Sequence, residues 1–225
     1  MLTAATKTHN EQRELIYHGT RSERFSQFDL TKLGTGEGAH AANVIYFVTS
    51  LKGAYNHASY RARQKGAPLV YVCQFKPDAN VLTIDVPICE HPSNVTELWD
   101  SLPVWVSTKN SKNWYNELAF TPESSVDHYL PPLDERKRCD MLRSFGFDGI
   151  RNFEAGGWAD SYLHGRSHVA LNPDSVDIIE VWHADDIESE VIGAANNYLL
   201  LEHPETLGET GVSSRLKRTS WLNNQ

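Results

Sequence analysis

Seven short runs rich in β-branched and aromatic residues are spread unevenly along this chain, and helices do not alternate with them. The runs fall at 15–18, 44–48, 69–75, 81–85, 147–150, 168–171 and 176–181. Each is short, and most are bounded by Gly, Pro, Asn, Asp or Ser, the residues that end strands. Helical spacing predicts a helix from a cap at Thr49 or Ser50 to about residue 65, with Ala54, Ala58 and Ala62 on one face. Further helices are expected at 93–102, with Ser93 as cap, and at 133–145, stopped by Gly146. Segment 22–33 suggests an irregular stretch or a one-turn helix, 113–120 is ambiguous, and the tail carries one more helix at about 187–202. Regular βαβ repetition is absent, so a doubly wound sheet is excluded. The expectation is an α+β fold with a split, mixed or antiparallel sheet.

Composition limits the functions open to such a fold. With 225 residues and 40% hydrophobic content, the chain can bury a sizeable core. Its 21 basic and 29 acidic side chains give a formal charge of −8, which argues against general phosphate-backbone binding. The polar start lacks a signal-peptide core, and no run of 18 apolar residues is long enough for a membrane span. Cys73, Cys89 and Cys139 are far apart and form no Cys-x-x-Cys, as in a reduced cytoplasmic protein. No histidine or cysteine cluster has zinc spacing, so no metal is expected. Phosphate loops and Rossmann glycine patterns are missing too.

Chemistry concentrates in two neighbouring blocks. Tyr17-His18-Gly19-Thr20-Arg21 closes the first run. Gly36-Glu37-Gly38-Ala39-His40 then leads to Val44-Ile45-Tyr46-Phe47, with Ala54 and Ala58 beyond. Alone, the first block is a strand end with a turn, and Tyr46 a core tyrosine. Together they resemble the ADP-ribosyltransferase superfamily, on the His-Tyr-Glu branch that holds the poly(ADP-ribose) polymerases and diphtheria-type toxins. The loop before the Tyr-Phe strand is similar to phage-borne and polyvalent-toxin members. The final segment, from Val169 through Asn172-Pro173-Asp174 to Ile179, resembles the last two strands of that fold.

The resemblance implies a split sheet with flanking helices around a cleft for NAD, which is the substrate. It divides the chain into a catalytic domain at 1–185, with an insertion at about 88–140, and a C-terminal helical or polar extension at 186–225. Cleavage at nicotinamide passes through an oxocarbenium-like state, which needs an oriented ribose and nearby negative charge. His18 is then expected to donate to a ribose hydroxyl. Gly19 lets the backbone approach the carboxamide, Thr20 and Arg21 flank the ribose, and Tyr46 stacks on nicotinamide. His57, with Tyr55 and Tyr60 nearby, is offered as the second face of the ring sandwich. The third triad place, counted back from the last strands, holds Ser167 with His168 next, and neither is an acid. Glu154 and Glu117 are the two candidates to supply it.

The implied activity is mono-ADP-ribosylation of a macromolecular acceptor, protein or nucleic acid, by a toxin, effector or phage-conflict protein. It would be cytoplasmic or delivered into a target cell. An antitoxin or immunity protein is an expected partner, and no membrane is. A non-catalytic NAD or ADP-ribose sensor, an interaction module, and an RNA 2′-phosphotransferase-like enzyme using Arg21, Arg24, Arg151 and Arg166 remain open. Trp99, Trp105, Trp114 and Trp158 serve either as packing or as an acceptor platform. Arg136-Lys137-Arg138 is expected on a solvated helix face.

Overall fold

The computed structural model describes residues 14–32, 42–60, 66–102, 109–119, 133–153 and 165–187. Within them seven strands form one mixed sheet: β1 (Ile16–Ser22), β2 (Ile45–Val48), β3 (Ala67–Phe75), β4 (Val81–Thr83), β5 (Gly149–Arg151), β6 (Ser167–Ala170) and β7 (Val176–His183). Their order is β4-β5-β6-β2-β1-β3-β7. Only β4 and β5 run parallel; the other neighbours are antiparallel. Four helices accompany them: α1 (Leu51–Tyr60), α2 (Ser93–Asp100), α3 (Trp114–Glu117) and α4 (Glu135–Ser144). The α+β expectation therefore holds.

The sheet is close to parting in its middle. β1 lies against β3 from Ile16↔Cys73 to Ser22↔Ala67, and β3 against β7 over most of its length. On its other edge β1 meets β2 at a single residue pair, Tyr17 opposite Val48. From His18 onward, that edge of β1 has no strand paired with it among the described residues.

Side chains alternate along each strand, so the sheet has two apolar faces. One carries Ile16, Ile45, Phe47, Leu69, Tyr71, Cys73, Phe75, Ala170 and Val176, covered by Phe28 from the loop after β1. The opposite face carries two clusters. Tyr17, Val70 and Val72 lie under α1 through Leu51, Ala54 and Ala58. Leu82, Ile150 and Val169 lie under Val95, Trp99, Trp114, Tyr115, Leu118, Cys139 and Leu142. Segment 88–140 thus supplies much of one core, and Trp99 and Trp114 are packing residues (4% and 0% exposed). Trp105 and Trp158 lie outside the described residues. Packing continues to Ile187, which is buried against the α1 cluster; the expected tail helix lies outside the described residues.

Local chemistry explains most boundaries. Ser50 caps α1, its Oγ accepting from the Gly53 N–H at 3.2 Å. Asp134 caps α4 by accepting from the Lys137 N–H at 2.8 Å. Gly146, at φ +92°, ends that helix, and the Phe147 N–H returns to the Leu142 carbonyl at 3.1 Å. For α2 the expected cap is displaced by one: Pro92 takes the capping position without a side-chain bond and Ser93 becomes the first helical residue. A fixed proline φ favours that entry. The ambiguous stretch at 113–120 contains the single turn of α3, its Trp114 indole donating to the Val86 carbonyl at 3.0 Å.

Candidate functional site at the joint of the sheet

His18 sits one residue past the pair that joins the two halves. Alternation turns its ring away from α1, into an aromatic pocket. Phe28 meets it edge-on at 5.3 Å between ring centroids, Phe47 at 5.8 Å and Tyr71 at 6.4 Å. Tyr71 is itself held, stacked on Phe25 at 4.2 Å, with its hydroxyl accepting from the Phe25 N–H at 3.0 Å. Burial pushes the Tyr71 hydroxyl above its ordinary pKa.

His18 Nδ1 lies 2.8 Å from the Tyr46 carbonyl oxygen across the joint. A carbonyl only accepts, so Nδ1 carries the proton. In the neutral ring Nε2 is then an acceptor.

Tyr46 reaches His18 through its backbone. Its side chain leaves the opposite face of β2, because Phe47 is the residue that shares the face of His18. The Tyr46 ring packs edge-on against Phe153 at 5.8 Å, and Phe153 against Tyr115 at 5.6 Å. Tyr46 remains half-buried.

Gly19 has a use that sequence reasoning missed. A Cβ there would lie 1.8 Å from the Ala54 carbonyl oxygen. Glycine is required because α1 rests directly on β1, and Ala54 and Ala58 (both 0% exposed) allow the same approach from the helix side. Thr20 and Arg21, opposite Leu69 and Pro68, are half-buried on β1. His57 and Tyr55 are half-buried on α1, and Tyr60 is its last residue.

Ser167 is opposite Val48 and 3% exposed, and His168 is opposite Phe47 and 1% exposed. Glu117, the last residue of α3, accepts from Ser111 Oγ at 2.6 Å. Glu154 lies outside the described residues. The carboxylate found beside this end of β6 belongs to Glu14, two residues ahead of β1. It meets Arg166 Nη2 at 2.9 Å and faces His168 Nε2 at 3.4 Å. His168 Nδ1 accepts from the Asn152 N–H at 3.0 Å, which leaves the Nε2 proton directed at Glu14. Asn152 adopts φ +54° and donates its amide to Asp85 at 2.9 Å. Burial pushes the Glu14 carboxyl upward, but the facing His168 N–H and the guanidinium charges of Arg166 and Arg151 outweigh it, leaving the group below its ordinary value. No local pattern marks Glu14, since an acid before a strand is ordinary surface chemistry.

Among the described residues no three His, Cys, Asp or Glu side chains are placed to hold a metal ion, and no helix is long and apolar enough to cross a membrane. A shallow depression lies between Phe28 and Pro173, walled by Asp29 and Asp174. Its acidic rim is a poor match for the phosphates of a dinucleotide. The chain matches no family model, no curated protein and no solved structure.

Proposed function

We propose that the chain is an NAD-consuming mono-ADP-ribosyltransferase whose site lies at the joint of β1 and β2. The observation that carries this reading is the 2.8 Å bond from His18 to the Tyr46 carbonyl. Two residues singled out for one chemistry meet, through the Tyr46 backbone, at the joint where β1 and β2 share a single residue pair among the described residues. In this reading Nε2 of His18 orients a ribose hydroxyl, Thr20 and Arg21 flank the ribose from β1, and Tyr46 with His57 borders the nicotinamide. The acceptor is a protein side chain or a nucleic-acid base.

The test is NAD labelled in its adenylate part, incubated with purified protein and cell lysate, then divided between protease and nuclease digestion. Label should enter a macromolecule, free nicotinamide should appear, and His18→Ala should abolish both. Intact NAD throughout would end the enzyme reading. A sensor is the second reading, favoured by Ser167 at the place where an acid is expected. Calorimetric NAD binding without nicotinamide release would establish it.

A further inference from the structure

The one-pair contact between β1 and β2 makes Tyr17↔Val48 a pivot. A single pair fixes how far apart two strands lie but does little to resist rotation about it. Apolar packing on both faces limits that rotation, and polar ties on either side set its angle. On one side lies the His18–Tyr46 bond. On the other lies Glu14, bonded to Arg166 and facing His168. Because β2 lies between β1 and β6, this second tie crosses over β2.

We propose that Glu14 is a positioning residue for the His18–Tyr46 pair: it fastens the entry of β1 to the start of β6 and so sets the opening of the cleft on the far side of the pivot. The inference rests on the functional reading for its consequence, though not for its geometry. The parts of the tie are individually anchored. The Arg166 N–H donates to Thr49 Oγ1 at 2.9 Å, and its carbonyl accepts from the Thr49 N–H at 2.9 Å, so its backbone is fixed to the end of β2. His168 is fixed by Asn152. Gly165, at φ +67°, brings the chain into this bend, where a Cβ would lie 2.6 Å from Thr49 Oγ1. Glu14 is the acidic partner that closes the tie, and Arg151 adds a second cationic neighbour. Glu14 belongs to none of the apolar clusters, so its loss should loosen the pivot without opening a core.

The experiment uses the full chain, with histidine ring nitrogens labelled and exchange of the His18 Nδ1 proton followed by NMR in the absence of NAD. Glu14→Gln keeps size and some hydrogen bonding but removes charge. It should speed that exchange by about tenfold or more, the scale on which loss of one charged tie raises local opening. Exchange of the Val70 and Val72 amides in β3 should stay within about twofold, since that ladder does not depend on the tie. Arg166→Gln should reproduce the effect. The double variant should be no worse than either single change, as expected for two ends of one interaction. Unchanged His18 exchange in both single variants, or strictly additive effects, would overturn the proposal. If wild-type protein turns over NAD, both variants should lower kcat more than they raise KM, and Glu14→Asp should recover part of the loss. If it does not, the functional reading fails while the exchange result still decides the tie.

Discussion

The two halves of the sheet reach stability by different routes. In β1-β3-β7 the ladders are long: β1 and β3 pair from Ile16↔Cys73 to Ser22↔Ala67, and β3 runs from Ala67 to Phe75. In β4-β5-β6-β2 no strand exceeds four residues. Ladders that short cannot hold a sheet together. They are held by side chains contributed from 88–102, 114–118 and 139–147, which bring Trp99, Trp114, Tyr115 and Phe147 against Leu82, Ile150 and Val169. A further clamp is Arg143, whose Nε donates to the Leu171 carbonyl at 2.5 Å and whose Nη2 donates to that of Asn43. One half is a backbone scaffold, and the other is a thin sheet mounted on an aromatic core. The proposed site lies where they meet.

The harshest way to break this comparison is Trp114→Ala. The indole is fully buried and meets Trp99 edge-on at 5.3 Å, so the change should cost about 3–5 kcal/mol in denaturant unfolding. Amides of β5 and β6 should lose hydrogen-exchange protection before those of β3; equal loss in both halves would remove the distinction. Gly19→Ala attacks the long half instead, forcing a methyl group into the Ala54 backbone. It should cost about 1–3 kcal/mol, the range for overpacking. The loss should appear in α1 protection and circular dichroism, and a neutral result would mean α1 is free to shift.

A smaller effect is expected from Tyr71→Phe, which leaves the Phe25 N–H without its partner. About 1 kcal/mol is the scale for one such bond, and thermal melting can resolve it. The mildest test concerns His91 in the short half. Its Nδ1 donates to the Pro87 carbonyl at 3.0 Å and its Nε2 accepts from the Thr83 N–H at 2.8 Å. Burial holds its pKa below the ordinary value, so the unfolded chain binds the proton first. That stability is complete above the ordinary histidine pKa and is lost as pH falls through the lowered one. Unfolding free energy measured between neutral and mildly acidic pH should decline, and His91→Gln should flatten that part of the curve.

The short runs were legible in the sequence because alternation and turn residues are local signals. β1 was underestimated: it continues to Ser22 because β3 pairs with Thr20, Arg21 and Ser22, and Thr-Arg-Ser carries no apolar pattern of its own. At the site, His18 and Tyr46 could be named from their motifs, but the way they meet could not. Sequence places both in strands; only the one-pair joint puts the His18 ring against the Tyr46 carbonyl while sending the Tyr46 side chain to the other face. Gly19 was legible as a required glycine, and its reason, Ala54 of the next helix, was not.

The sequence by itself determined the α+β class, the seven strand segments, the start of α1 at Thr49 or Ser50, and the absence of an acid at Ser167. These follow from side-chain period, backbone freedom and residue identity, which act within a few residues. Only tertiary structure decided the strand order, the near-division of the sheet, the tautomer of His18, and the arrival of Glu14 beside Arg166 and His168. Each of these depends on groups far apart in the chain coming together, 28 residues for His18 and Tyr46 and 152 for Glu14 and Arg166, and no local pattern encodes such a meeting.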